Sequence, residues 1–297
     1  MFTEQIIGVT TTACAKFWPL LHQVGVQVII CEEAGEVMEA HTMCTLFPSI
    51  EHAIFIGDPD QLRPQVAEQA LSLETEVGQQ FRLDESLFER LSHSRLPKHQ
   101  SIPTSCLSLQ RRMHPDIADI SRTILYPYLK DHEDTEAHPP VPGLVHRMWW
   151  FDHRQAEDAP DAATRSKSVS NTFEAEMVFN LVQYLINRNE YDIGHIAVLT
   201  PYNGQLALLT KRLRSLCSIF LSDKDRTALA GDGYFAKDED APGARSDVQM
   251  LDMLRVATID NFQGEEAKVV ILSTVRSNKD ERVGFLRTIN RINVACR

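Results

Sequence analysis

Residues 26–36 of this 297-residue chain, VQVIICEEAGE, give the first indication of its fold class. Its first part, residues 26–31, is a short apolar run rich in β-branched residues, and acids follow it at once. Such runs are typical of strands that are buried on both faces of a parallel sheet. A second run at residues 53–56 follows a helical pattern that Pro48 ends. Strand, helix and strand in this order predict a right-handed βαβ unit.

The same alternation of buried runs and helical patterns returns in the second part of the chain. Three further strands and one further helix are predicted there, at residues 196–199, 255–259, 269–273 and 206–216. Strands that alternate with helical patterns are typical of α/β folds with parallel sheets. We therefore expect an α/β protein of two lobes, each with a parallel sheet.

The lobe boundary is predicted between Leu91 and Ser105, where the chain is polar and marked by proline. This boundary assigns residues 1–95 to lobe one and residues 96–297 to lobe two. The stretch 222–247 is rich in Gly, Asp, Ala and Lys, a composition that disfavours burial. We expect it to be a mobile insertion in lobe two.

Composition excludes several classes of protein. Hydrophobic residues make up 43% of the chain and charged residues 24%, as in ordinary globular proteins, so a disordered chain is excluded. No apolar run is long enough for a membrane span, and no secretory leader is recognisable. The six cysteines are widely spaced and form no C-x-x-C pair. This usage predicts reduced thiols in an intracellular protein of the nucleus or cytoplasm.

The charge of the chain is acidic but uneven. A net charge of −11 disfavours a protein that binds nucleic acid by bulk attraction. Residues 268–297 nevertheless hold seven Lys and Arg against two acids, whereas residues 131–161 hold eight acids against two Arg. Both segments are compatible with a solvated surface. The basic segment is the more informative one about function, because it contains motifs described below.

Polar side chains follow both predicted strands of the first lobe. Glu32 and Glu33 come directly after the first strand, where adjacent carboxylates are costly unless a cation or a proton transfer uses them. One interpretation is a magnesium site, because Mg²⁺ takes carboxylate, water and phosphate oxygens as ligands. The alternative is an acid cluster at a helix N-terminus that offsets the helix dipole. After the second strand, a turn with glycine and two prolines holds Asp58 and Gln61. It is either a tight turn only or a device that fixes these side chains over a phosphate.

Six segments, in order along the chain, together resemble the motifs of superfamily 1 helicases. They are EEAGE (32–36), GDPDQLRP (57–64), LQRRMHPDI (109–117), TPYNGQ (200–205), VATIDNFQGEE (256–266) and NRINVA (290–295). The usual family forms are DEAxQ, GDxxQLxP, QYRMHPxI, TPYxxQ, VxTVDxFQGxE and RRxNVALTRA. With TTTACAKF near its start and VMEAHT after the acids, the chain is most similar to Upf-like RNA helicases that carry NFX-type zinc fingers.

The resemblance implies two RecA-like P-loop NTPase lobes, the first of them incomplete at its N-terminus, that use ATP and Mg²⁺. Motifs Ic to III would lie in lobe one and motifs IV to VI in lobe two. Glu33 would activate the hydrolytic water, Gln61 would sense the γ-phosphate, and Glu32 would hold magnesium. Arg112 would act as an arginine finger from lobe two, and Arg291 belongs to the same catalytic set.

The resemblance also implies binding residues. Asp58, Gly264 and Glu266 would contact the nucleotide. Four further residues would lie along a single nucleic-acid strand, where contacts to phosphate carry no sequence information: Thr200, Tyr202, Thr258 and Arg276. A local channel of this kind would let an acidic protein bind RNA.

The chain departs from the family pattern in places. A P-loop needs G-x-x-x-x-G-K-[ST], yet none of the 13 glycines is followed by lysine. We therefore expect a fragment that lacks the P-loop and that binds ATP poorly on its own. Glu32 replaces the usual Asp, Glu36 the usual Gln, and Arg111 the usual Tyr.

The resemblance implies the core of an ATP-dependent RNA helicase that translocates along single-stranded RNA. Its setting would be RNA surveillance or small-RNA silencing, with RNA-silencing or RNA-decay proteins as partners and no membrane. Two alternatives stay open: a non-catalytic RNA-binding or scaffold protein without a P-loop, and a DNA helicase of the same superfamily. The aromatic run at residues 149–151 is expected to be a buried strand rather than a base-stacking surface, and Phe262 to be a packing residue.

Overall fold

A computed structural model describes residues 6–66, 68–73, 75–93, 102–159, 168–234 and 252–296. The chain divides into two compact units, Met1–Leu107 and Ser108–Arg297. Both are α/β, and the strand pairs in the described ranges run parallel. This confirms the prediction of an α/β protein with parallel sheets.

The first unit contains a two-stranded sheet of β1 (Val28–Cys31) and β2 (His52–Phe55). Its helices are α1 (Thr11–Lys16), α2 (Trp18–Val24), α3 (Glu39–Met43), α4 (Glu76–Phe81) and α5 (Leu87–Ser92), with 3₁₀ turns at Ala34–Glu36 and Gln69–Leu71. Cys14, Leu21 and Phe47 pack into a small core between α1, α2 and the chain after α3. Both predicted strands are therefore confirmed.

The prediction that the first strand is buried on both faces is wrong. Side chains alternate along a strand, and here Val28, Ile30 and Ile54 share one face with exposed fractions of 52%, 63% and 40%. Ile29 and Phe55 lie on the opposite face and are only partly exposed. Within the described residues of this unit, one face of the sheet is thus apolar and open.

The second unit begins with a short parallel pair of β3 (Leu109–Gln110) and β4 (Lys130–Asp131). Its main sheet, within the described residues, has four parallel strands: β5 (Ile196–Thr200), β6 (Ile219–Phe220), β7 (Leu254–Thr258) and β8 (Val269–Leu272). Their order in the sheet is β6–β7–β5–β8. The helices are α6 (Pro115–Ile124), α7 (Thr172–Arg188), α8 (Asn203–Leu213), α9 (Asp223–Gly231) and α10 (Ile289–Ala295), with 3₁₀ turns at Glu133–Ala137, Ile193–His195, Ile259–Asn261 and Gly284–Arg287.

The core of the second unit lies on both faces of its sheet. Ile196 and Val198 of β5 pack against α7 and α8 in the larger cluster. Ala197 and Leu199 point to the other face, where Phe262 and the end of α10 complete a second cluster. Helices on both faces explain why these strands read as continuous apolar runs. The three strands and the helix predicted for this region are confirmed, and so is Phe262 as a packing residue.

Two expectations for the second unit differ from the structure, the first of them over the described residues only. Residues 223–231 of the expected mobile insertion form α9, in which Asp225 and Leu229 are fully buried. Residues 235–247 of that stretch lie outside the described residues. The run at residues 149–151 is not a strand, and Trp149 and Trp150 are 55% and 78% exposed. Trp149 packs its ring against Phe151 instead of entering the sheet.

None of the helices in the described ranges is long and apolar enough to cross a membrane. All six cysteines carry free thiols. Burial raises the pKa of the Cys217 thiol to about 11, which keeps this side chain in its neutral form.

Candidate functional site

The two predicted acidic turns of the first unit meet at one end of its sheet. Glu32 and Glu33 follow β1 and are exposed, and Glu33 adopts a left-handed backbone conformation with φ of 49°. The next residue, Ala34, donates its backbone N–H to the carbonyl oxygen of Ile56, 2.8 Å away at the end of β2. The parallel strands thus bring both turns to the same edge.

Two glycines let these turns touch backbone to backbone. A Cβ atom on Gly35 would lie 2.9 Å from the carbonyl oxygen of Asp58. A Cβ atom on Gly57 would lie 2.9 Å from the backbone nitrogen of Gly35. Both distances are shorter than a side-chain carbon tolerates, so neither position accepts a larger residue without movement.

The second turn is organised around the carboxylate of Asp58. Gln61 donates its side-chain amide to Asp58 Oδ2 at 3.0 Å, and the Asp60 backbone donates to Oδ1 at 3.0 Å. Burial raises the pKa of the Asp60 carboxyl, and the neighbouring Asp58 raises it further. Arg63 closes the turn with a bidentate contact of 2.7 and 3.1 Å to Glu89 of α5. Gln61 and Asp58 are therefore held together within this turn.

The donor atoms at this edge suit magnesium. Glu32 and Glu33 offer carboxylate oxygens, which are hard ligands of the kind that Mg²⁺ prefers. Across the described part of the chain, no three His, Cys, Asp or Glu side chains are grouped as a metal cage. The carboxylates of Glu32 and Glu33 fit a magnesium ion that takes one or two protein oxygens and completes its shell with phosphate and water.

In the second unit, the two predicted catalytic arginines reach the same loop. We call residues 259–266, which directly follow β7, the motif loop. Arg112 Nε lies 3.1 Å from Glu266 Oε2, and Arg291 makes a bidentate contact of 3.0 and 3.2 Å with Asp260. Arg112 and Glu266 are exposed, whereas Arg291 and Asp260 are about three-quarters buried.

Gln110 orders the turn that carries Arg112, a role that the sequence did not reveal. Its side-chain oxygen accepts from the backbone N–H groups of Arg112 and Met113 at 2.9 and 2.8 Å. Its amide nitrogen donates to Asp131 Oδ1 at 2.7 Å. The Arg112 side chain therefore projects from a turn whose backbone is fixed by Gln110, which is itself held by Asp131.

The motif loop itself is fixed by two carboxylates. Glu265 holds Arg255 of β7 in a bidentate contact of 2.7 and 2.8 Å. At the other end, the carboxylate of Asp225 accepts from Thr258 and Asn261 at 2.8 and 2.7 Å. Gly264 has φ of 80°, a conformation that favours glycine, and a Cβ atom there would meet no neighbour. The loop can thus approach a ligand closely at this point.

The four residues predicted to lie along a nucleic-acid strand are all largely buried. Thr200 is fully buried, and among the described residues its hydroxyl has no hydrogen-bond partner. The hydroxyl of Tyr202 donates to the Val283 carbonyl at 3.2 Å and accepts from the Phe285 N–H at 3.1 Å. The Thr258 hydroxyl donates to Asp225, as described above.

Arg276 is occupied inside the unit. Its Nε lies 2.9 Å from Glu157 Oε2, and only 16% of its side chain is exposed. Its guanidinium also stands over the Tyr202 ring at 5.9 Å. The structure thus brings Tyr202 and Arg276 together, but it uses both of them to hold the chain that follows β8.

A buried network that the sequence did not reveal supports this region. Glu174 of α7 accepts from the Ser273 hydroxyl at 2.6 Å and from the Val275 N–H at 3.0 Å. Val275 has φ of 71°, which is rare for a β-branched residue. Gln205, the last residue of TPYNGQ, is fully buried and donates to Ser273 and to the Asn171 carbonyl.

Comparison with known proteins identifies the family. Residues 83–296 match the family model described as an AAA domain. The chain is 33% identical to the mouse protein NFX1-type zinc finger-containing protein 1, over 98% of this chain and 13% of that protein. It is 32% identical to the Schizosaccharomyces pombe protein Helicase required for RNAi-mediated heterochromatin assembly 1, over 98% of this chain and 24% of that protein.

A third relative is Regulator of nonsense transcripts 1 of Dictyostelium discoideum, which is 26% identical over 93% of this chain and 18% of that protein. The chain spans only about a tenth to a quarter of the length of the curated relatives it matches. The family model, the order of the motifs and these relatives agree, and the chain belongs to the Upf-like helicases of superfamily 1.

Proposed function

We propose that this chain is part of an ATP-dependent RNA helicase core in which two RecA-like lobes couple ATP hydrolysis to movement along single-stranded RNA. The observation that carries the proposal is the meeting of Arg112 and Arg291 on the motif loop, through Glu266 and Asp260. Guanidinium groups that are already oriented by carboxylates can pass to phosphate oxygens with little further ordering.

The proposed chemistry assigns one task to each side chain. Magnesium, when it is bound with ATP, would neutralise phosphate charge, and Glu32 would hold it. Glu33 would accept a proton from the attacking water, and Gln61 would contact the γ-phosphate from the turn that Asp58 orders. Arg112 and Arg291 would stabilise the negative charge that develops during phosphoryl transfer. Gly264 and Glu266 would border the nucleotide.

The proposal for RNA rests on the relatives described above. One of them is named as a helicase required for RNAi-mediated heterochromatin assembly and another as a regulator of nonsense transcripts. We infer a role in RNA surveillance or small-RNA silencing, in the nucleus or cytoplasm and with proteins of those processes as partners. Thr200, Tyr202, Thr258 and Arg276 would then shape the strand path. Tyr202 would do so by holding the backbone of Val283 and Phe285, and Thr258 and Arg276 through the carboxylates of Asp225 and Glu157.

RNA-stimulated ATP hydrolysis by the complete helicase core, of which we propose this chain to be part, tests this proposal. Removing a general base lowers such rates by about 10²- to 10⁴-fold, and removing an arginine finger by about 10³- to 10⁵-fold. We expect losses of this order for Glu33→Gln and Arg112→Ala. Arg282→Ala is the matched control, because the Arg282 side chain is 75% exposed and, within the described ranges, its ion pair is with the nearby Asp280. Unchanged hydrolysis in Glu33→Gln or Arg112→Ala would remove these residues from the mechanism.

A second candidate function is RNA binding without hydrolysis. It is favoured by one observation, namely that none of the 13 glycines in this sequence is followed by the lysine of a P-loop. Retained binding of single-stranded RNA by a protein without measurable ATP hydrolysis would support this candidate over the first. Equal unwinding of tailed RNA and DNA duplexes would instead favour a helicase that does not select RNA.

A further inference from the structure

Helix α9 begins with a reciprocal cap that fixes the side chain of Asp225. The hydroxyl of Ser222 accepts from the Asp225 backbone N–H at 3.1 Å and donates to Asp225 Oδ2 at 2.9 Å. A cap of this type satisfies groups at the start of a helix and orients the acid of its first turn. Leu229 on the same helix is fully buried, so α9 is anchored at both ends.

The second oxygen of Asp225 reaches the start of the motif loop. Oδ1 accepts from the Thr258 hydroxyl at 2.8 Å, the Asn261 side-chain amide at 2.7 Å and the Thr258 backbone N–H at 3.4 Å. Thr258 and Asn261 flank Asp260, the partner of Arg291. A single carboxylate thus holds both sides of the residue that orients a proposed catalytic arginine.

The burial of Asp225 makes this arrangement specific. The carboxylate is fully buried, and the donors that reach it from the described residues are hydroxyl, amide and backbone N–H groups. Burying a carboxylate is unfavourable unless hydrogen bonds to it are well formed. Bonds to an ionised acceptor are about twice as strong as neutral ones, so displacement of Thr258 or Asn261 is strongly resisted.

We propose that Asp225 is a positioning residue for the motif loop, and that α9 acts as a brace of the candidate site. The Asp225 carboxylate acts through its hydrogen bonds to Thr258 and Asn261, which fix the position of the backbone on either side of Asp260. The contact between Arg255 and Glu265 anchors the far end of the same loop. This inference rests on the proposed function for its consequence in RNA binding, but the brace itself is independent of that function.

An exchange of partners tests the brace. Asn261→Asp places a second carboxylate against Asp225, and we expect about tenfold faster amide exchange at residues 258–262 together with weaker binding of fluorescein-labelled oligouridine. Adding Asp225→Asn restores an amide–carboxylate contact with the roles reversed, and we expect both readouts to return toward the wild-type values. Asp223→Ala is the matched control, because it removes an exposed acid from the same helical turn.

The outcomes separate the two proposals. If the double variant exchanges as fast as Asn261→Asp, or if Asp223→Ala has the same effect, Asp225 does not position the loop. If Asn261→Asp does not fold, Thr258→Val provides the second test, because it removes one hydrogen-bond donor to Asp225 without adding charge. Unchanged amide exchange in Thr258→Val would again show that Asp225 does not position the loop. Amide exchange that follows the expected pattern while oligouridine does not bind would contradict the RNA function and leave the brace supported.

Discussion

At the scale of single residues, the candidate site of the first unit depends on positions where a side chain is missing or strained. Gly35 and Gly57 have no Cβ, so the two turns approach to a distance that alanine would not allow. Glu33 takes a left-handed conformation, which costs about 1 kcal/mol or more for a residue other than glycine. The positions of both proposed acids therefore follow from backbone contact between the turns.

The clash at Gly35 leads to a prediction. Gly35→Ala should lower the free energy of unfolding of the first unit by about 1–3 kcal/mol, because its Cβ meets a backbone oxygen that cannot rotate away. Urea unfolding followed by Trp18 fluorescence would measure this, in a background where Trp149→Phe and Trp150→Phe leave Trp18 as the only tryptophan. Gly8→Ala is the control, because nothing lies within 4 Å of its Cβ position. Equal midpoints for the two variants would show that the turns adjust freely.

At the scale of elements, the strands of the second unit are predicted by the apolar pattern, whereas α9 is missed by it. A strand with helices on both faces has apolar residues throughout, and this local pattern is visible in the sequence. Helix α9 buries mainly Asp225 and Leu229, so its composition resembles that of a loop. The spacing Ser222-x-x-Asp225 is a capping signal that would have indicated the helix. The contacts of Asp225 with Thr258 and Asn261 join distant segments, which spacing alone does not reveal.

The start of α7 carries the next prediction. Asn171 is fully buried, caps the Glu174 N–H at 3.1 Å and donates to the Val275 carbonyl at 3.2 Å. Asn171→Ala should destabilise the second unit by roughly 2–3 kcal/mol, because it removes a helix cap and leaves buried groups unsatisfied. Amide exchange in α7 and at Val275 would report the loss, with the exposed Thr172→Ala as control. Protection that stays at the wild-type level would contradict the proposed support of the Val275 turn.

At the scale of the whole molecule, the family could be predicted because six motifs occur in the correct order over nearly the entire chain. The pairing of Arg112 with Glu266 could not be predicted, because it joins residues that are 154 positions apart. The two units also differ in how their sheets are covered, although the apolar runs of their strands look alike in the sequence. The sheet of the second unit is covered on both faces, whereas Val28, Ile30 and Ile54 leave one face of the first sheet exposed.

That exposed face gives the final prediction. Ile30 and Ile54 are cross-strand neighbours in the parallel register of β1 and β2, and contiguous exposed apolar groups promote association between molecules. Replacing both by threonine keeps β-branched side chains, so the double variant should lower concentration-dependent light scattering at little cost in stability. The control is Ile29→Thr, which alters the opposite, partly buried face and should instead reduce the free energy of unfolding. Scattering that is unchanged in the double variant would mean that this face does not drive association of the chain.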